Sequence, residues 1–230
     1  MNNKIIITII AILAFGLLIG LSFLNKTEEE ISAELPSDQT MSDELMIDLP
    51  GAGTYEINPN NSLVVWTGSK TLIANYEDVG TFDIKQGNFT IENETITKGE
   101  VIIDTTSLES LETSNTSIGL DRLTNHLKSA DFFAVDTYPT ATFVLINFDQ
   151  EAGTITGNLT IKDKTNPISF PVTLIGGSSD GTLTLEAGLS IDRTQFGLTY
   201  GSGSFFDNLG DNVIDDMVDL ELFIEANKVN

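Results

Sequence analysis

The chain has 230 residues, 40% hydrophobic and 20% charged, enough for one full-sized folded domain and an appendage. Its 34 Asp and Glu against 11 Lys and Arg give a net charge of -23, which repels phosphate backbones and excludes nucleic acid as a partner class. With no cysteine, disulfides, thiolate metal sites, a Cys nucleophile and a lipid-modified N-terminal Cys are all excluded.

At the N-terminus, Ile5 to Leu24 form an apolar run broken only by Thr8, Ser22, Gly16 and Gly20. As a helix, that run would rise about 30 Å, enough to cross a bilayer. Cleavable signal peptides have shorter apolar stretches and small residues at the cleavage site, whereas Leu21-Ser22-Phe23-Leu24 is bulky. Residues 1–26 are therefore expected to form an uncleaved transmembrane helix, with a cleaved signal segment as the alternative. The expected location is the cell envelope, on its periplasmic or extracytoplasmic face, with the membrane as a partner through this segment. Residues 27–53 carry Glu28, Glu29, Glu30, Glu34, Asp38, Asp43, Glu44 and Asp48 without a single base, and read as a solvated acidic tether.

Residues 54–230 read as an all-β domain. Apolar and polar residues alternate over Ile155–Ile161, Leu183–Ala187 and Val218–Leu222. Further strands are expected over Ser62–Lys70, Gly80–Lys85, Asn88–Glu92, Thr95–Asp104, Thr140–Phe148 and Ile168–Ile175. Turns are expected at Gln86-Gly87, Glu151–Gly153, Lys164–Pro167 and Gly176–Gly181. Between Ser117 and Ala130, Leu120, Leu123 and Leu127 recur at helical spacing, with Ser117 as the expected N-cap, Asp121 early and Lys128 late. The pattern predicts an antiparallel β-barrel of about eight strands with one short helix laid across it.

Several blocks occur in a distinctive order: Tyr55–Asn58 with Asn61–Trp66, Val79–Phe82, His126–Phe133, Tyr138–Phe143, Ile155–Ile161, Pro167–Val172, Ile191–Thr194 with Phe196-Gly197, and Asn208–Asp211. Together, from about Tyr55 to Ala226, they resemble the YceI-like family of lipocalin-like β-barrels that bind polyisoprenoid lipids. The resemblance implies a protein that is not an enzyme and needs no cofactor. It implies a long-chain polyisoprenoid or isoprenoid quinone held in the apolar interior, for storage, transport or sensing. Lys162–Pro167 departs from the glycine-containing turn that the family often has there.

An eight-stranded barrel holds either its own side chains or one slender ligand. The candidates for lining a lipid are Trp66, Phe82, Leu123, Leu127, Phe133, Phe143, Leu159, Leu185, Leu189 and Leu222, with Phe205 and Phe206 at the rim of the entrance. For each of them, ordinary core is the alternative reading. Gly157 and Ala187 are the small inward positions at which a larger side chain would narrow the interior. Arg193 either pairs with an acid to fix the rim or faces a polar head group. His126, the one histidine, has no accompanying nucleophile or metal spacing, and it reads as structural. The stretch from Gly201 through Asp215 and Asp216 reads as a glycine-rich turn rather than a calcium loop, because its spacing fails the required pattern. No catalytic or metal-ligating residue is expected. The competing function is a non-catalytic stalked domain acting through protein contacts, its barrel filled by its own side chains.

Overall fold

The computed structural model describes residues 49–115, 117–177 and 181–229. Among them are ten strands: β1 (Gly53–Ile57), β2 (Leu63–Ser69), β3 (Glu77–Glu92), β4 (Thr95–Thr113), β5 (Thr140–Asp149), β6 (Thr154–Ile161), β7 (Lys164–Pro171), β8 (Thr173–Gly177), β9 (Thr182–Asp192) and β10 (Met217–Lys228). One α-helix, α1 (Leu120–Lys128), and 3-10 turns at Arg193–Phe196 and Gly210–Asn212 complete the described elements.

Every strand pairing is antiparallel, in the order β7-β6-β5-β4-β3-β1-β10-β9-β8, with β2 also between β3 and β10. Ten strands make eight staves. β1 and β2 run in the same direction between β3 and β10, so they are two halves of one interrupted stave. The interruption is tied down by Glu225, whose Oε1 accepts from the amides of Asn58 (2.9 Å) and Asn61 (2.8 Å). β7 pairs with β6 and β8 with β9, and only Val172 separates the two, so the ends of the sheet meet in one bent stave.

β3 and β4 are far longer than expected: in β3 two segments read as separate strands are one, and β4 runs on from Asp104 to Thr113. Gln86-Gly87 is not a turn: it continues the ladder of β3 just after a bulge at Lys85, and register shifts recur along the β3–β4 ladder. Gly87 is there because a Cβ would come within 2.5 Å of Ile57 and 2.8 Å of the Glu100 carbonyl oxygen. Lys164–Pro167 likewise belongs to β7. The turn is Lys162-Asp163, with Lys162 at φ 56°. The ladder continues through Pro167 opposite Asn158 because it makes no use of that missing N–H. The helix is shorter than expected and begins after Gly119, with no side-chain cap from Ser117.

Among the described residues no helix is long and apolar enough to cross a membrane. α1, with nine residues, rises about 14 Å, against a hydrocarbon core of about 30 Å. Residues 1–26 and the tether up to residue 48 lie outside the described residues. The expected transmembrane helix is therefore corrected: no described helix realises it. The anchoring and the membrane partnership built on that helix are withdrawn with it.

Inward side chains fill one half of the barrel. Tyr55, Ile84, Ile91, Leu183 and Ala226 are buried to 2% exposure or less, and Tyr55 stacks on Phe89 with ring centroids 5.2 Å apart. Ile155, Ile224, Phe148 and Ile96 complete this floor. The other half, under α1, is hollow.

Candidate functional site

The hollow half is a cavity of about 790 Å³. Its walls come from the same inward-facing sets of side chains that build the floor, further along the strands. β2 contributes Val64 and Trp66, β3 Phe82, β4 Ile103 and Leu108, β6 Leu159 and Ile161, β9 Ile191, and β10 Val218 and Leu220. α1 covers the opening with Leu123 and Leu127, and the following turn adds Phe132 and Phe133. Phe133 meets Phe82 edge-on at 5.2 Å. The helix is held in place from β4: the Ser110 amide donates to Thr124 Oγ1 at 2.9 Å.

The polar residues gather where α1, the end of β2 and the loop before β3 meet. Lys70, Tyr76, Asp78, Arg122, Asn125, His126, Tyr200 and Asn212 line that region. His126 lies 3.2 Å from Asp131 Oδ2, and its ring is edge-on to Phe132 and Tyr200. It braces the end of α1 against the wall.

Of the sequence candidates, Trp66, Phe82, Leu123, Leu127, Phe133 and Leu159 lie on the cavity wall. Phe143, Leu185, Leu189 and Leu222 are packed against the core but do not line the cavity. Phe205 and Phe206 are exposed to 58% and 50% and do not line it either. Gly157 gives no access to the interior: a Cβ would lie 2.2 Å from the Phe143 ring and 2.6 Å from the Val144 carbonyl oxygen. Ala187 lies opposite Leu222, in the filled half.

Arg193 lines the cavity but is buried, and its guanidinium is occupied. Nε donates to the Asp215 carbonyl (2.8 Å), Nη1 to those of Leu198 and Tyr200, and Nη2 to that of Ile214 (3.0 Å). Asp216 stands 3.6 Å from Nη2. Burial pushes the guanidinium pKa down, and Asp216, Asp192 and Asp215 oppose that shift. This is a clasp that ties the end of β9 to the loops on either side of Gly210. Asp215 accepts from the hydroxyls of Ser69 (2.6 Å) and Thr71, and Asp216 accepts from that of Ser204. Among the described residues no group of three or more His, Cys, Asp or Glu could hold a metal ion.

Sequence reasoning missed Gly68 and Lys70, although both share a face with Trp66 by simple alternation. It also missed Arg122 and His126, each one position from a lining leucine of α1. Leu108 was hidden because β4 runs on beyond its expected end at Asp104.

The YceI-like domain model matches residues 55–226. Protein YceI of Escherichia coli O6:H1 is 35% identical over 105 residues, 44% of this chain and 51% of that protein. A UPF0312 protein of Pectobacterium carotovorum subsp. carotovorum is 32% identical over 119 residues, 50% of this chain and 58% of that protein. The chain thus spans about half the length of these curated relatives. Among solved structures, Burkholderia cenocepacia BcnA superposes with a TM-score of 0.58 at 22% identity, covering 74% of this chain and 99% of that one. A polyisoprenoid binding domain from Saccharophagus degradans superposes with a TM-score of 0.53 at 16% identity, covering 76% of this chain and 98% of that one. These two likenesses concern the fold. The family match takes in the barrel from β1 to β10, and the chain belongs to the YceI-like family.

Proposed function

We propose that this protein binds a long, slender apolar lipid, a polyisoprenoid or isoprenoid quinone, in the hollow half of its barrel, and that it acts as a binder rather than a catalyst. The observation that carries this reading is the 790 Å³ cavity with aliphatic and aromatic walls and polar residues at one end. The cavity is open to solvent on one side, so water or a ligand fills it. Apolar walls offer water few partners, while each buried methylene of a lipid contributes about 0.8 kcal/mol. Ten such carbons bring about 8 kcal/mol before association costs. Membership of the YceI-like family and the fold shared with the Saccharophagus degradans polyisoprenoid binding domain support the same ligand class. A barrel filled by its own side chains describes the floor but not the half beneath α1.

The test is solvent extraction and mass spectrometry of the full chain purified from a bacterial host. The expected result is one isoprenoid lipid per chain at near-stoichiometric level. Protein that carries no lipid, and takes none up from mixed isoprenoid micelles, would refute the reading.

A further inference from the structure

We infer that the outer rim of the cavity opening is a docking surface for a neutral phospholipid bilayer, pressed against it while lipid enters or leaves the barrel. The inference rests on the lipid reading of the cavity and adds the surface from which that lipid comes. The contact is made by the folded barrel itself.

The cavity meets solvent where its lining side chains are exposed: Ile118, Arg122 and Asn125 at the start of α1 and along it, and Tyr200 and Asn212 beside it. Most of the large apolar side chains left exposed among the described residues lie in three segments that border this opening. Leu72 and Ile73 follow β2, Ile118 and Leu120 begin α1, and Phe205 and Phe206 follow β9. Leu72 is the most exposed of them, at 60%. Hydrogen bonds hold the segments together. The Asp215 amide donates to the Ser69 carbonyl (3.0 Å), and the Asp215 carboxylate accepts from the Thr71 hydroxyl. Ser202 bridges to Ile214, and the Phe206 amide donates to the Ser202 carbonyl (3.0 Å). Ahead of α1, the Ser114 amide donates to the Glu77 carbonyl, and the Ser114 hydroxyl accepts from the Glu77 amide, both at 2.9 Å.

Apolar side chains clustered on a surface mark a contact with a membrane or a protein. Two observations choose the bilayer. The rim is continuous with the cavity lining, since Ile118 and Tyr200 belong to both. A bilayer against the rim lets an isoprenoid chain pass between two apolar phases, whereas each carbon led through water lowers the population in transit about fourfold. Charge gives the second. The rim segments carry Lys70 and Arg122 against Asp121, Asp207 and Asp211, so they lack the threefold excess of acids in the whole chain and call for no basic partner.

The chain has no cysteine, so one introduced thiol takes one fluorophore and reads contact locally in the full chain. Ala74→Cys puts the probe in the turn that carries Leu72 and Ile73, and Ala152→Cys puts it in the exposed β5–β6 turn at the filled end. In phosphatidylcholine vesicles with a nitroxide on the acyl chain, the probe at position 74 should be quenched and the probe at 152 should not. Phe205→Ser with Phe206→Ser, at two rings about half exposed, removes the burial of about one ring. It should lower the ratio of docked to free rim about 10- to 100-fold. Mixing in phosphatidylglycerol should weaken docking at low salt, because the chain carries -23, and 0.5 M NaCl should restore it. Equal quenching at 74 and 152, or quenching unchanged by the double substitution, would overturn the docking surface. Quenching that needs phosphatidylglycerol and vanishes in salt would make the contact electrostatic and overturn the apolar rim. A response of the probe at 74 to protein concentration without vesicles would make the rim an interface between copies and overturn the bilayer. Lipid extracted from the barrel with no quenching at 74 would sink the docking and leave the lipid reading intact; quenching at 74 on a barrel that never takes up lipid would do the reverse.

Discussion

Replacing Gly68 by leucine should empty the cavity of lipid without harming the fold. Gly68 lies two residues beyond Trp66 in β2, on the same face, and lines the cavity. A Cβ built on it meets nothing within 4 Å, and its φ is not in the positive range, so leucine fits the backbone and projects into open space. The new side chain adds four carbons. If they displace four ligand carbons, at about 0.8 kcal/mol each, binding loses about 3 kcal/mol, or about 150-fold in Kd. Glycine in a strand interior costs about 0.5–1 kcal/mol, so the lipid-free variant should be at least as stable as the lipid-free parent. Lipid content after extraction and thermal unfolding of both delipidated proteins give the two readings. Gly157→Val is the contrast: it drives a side chain into the Phe143 ring and the Val144 carbonyl and should cost about 1–3 kcal/mol whether or not lipid is bound. If Gly68→Leu lowers stability as much as Gly157→Val and leaves lipid content unchanged, Gly68 does not face a ligand chamber and the reasoning fails.

Two further predictions concern the wall that holds the cavity open. Arg193→Lys should cost about 3–5 kcal/mol in urea unfolding, because one ammonium cannot serve four carbonyls and leaves Asp216 without its partner; a loss below about 1 kcal/mol would mean the clasp is dispensable. The Glu221 carboxyl is held above its ordinary range, first by burial and then by Glu186 and Asp219. A carboxylate whose folded pKa is raised opposes folding when ionised, and the folded state gains stability as pH falls through that pKa. Glu221→Gln should therefore raise the melting temperature at neutral pH, and its advantage should fade in acid; a gain of constant size across pH would point to a cause other than charge.

Some of this protein is written in short stretches of chain. The alternation of Ile155, Leu159 and Ile161 marks β6 as a strand with those side chains facing inward, because a pleat has a period of two wherever it occurs. The spacing of Leu123 and Leu127 places both on the inner face of α1 by the same local logic. Arg122 and His126 follow from that face once the helix is seen to cap an opening, but nothing in the helix pattern says that it does.

What the tertiary structure decided is depth. Trp66 and Leu222 both point into the barrel, and no periodic pattern separates them. Register does: Leu222 falls beside Ala187 in the filled half, and Trp66 falls on the cavity wall. Glycine carries different meanings at Gly87, where Ile57 and the Glu100 carbonyl leave no room for a Cβ, and at Gly68, where it leaves space; only the neighbouring strands distinguish them. Arg193 is likewise ambiguous in the chain, since its acceptors at Leu198, Tyr200, Ile214 and Asp215 are backbone carbonyls, which every residue carries and no side-chain pattern reports. The sequence by itself determined that the domain is built of alternating strands with one helix, where the inward-facing sets such as Ile155, Leu159 and Ile161 lie, and which family the blocks resemble, because those properties depend on neighbours a few positions away. The floor, the chamber beside it and the bringing together of Lys70, Trp66 and Arg122 on its lining depend on contacts between segments distant in the chain, so only the closed barrel could decide them.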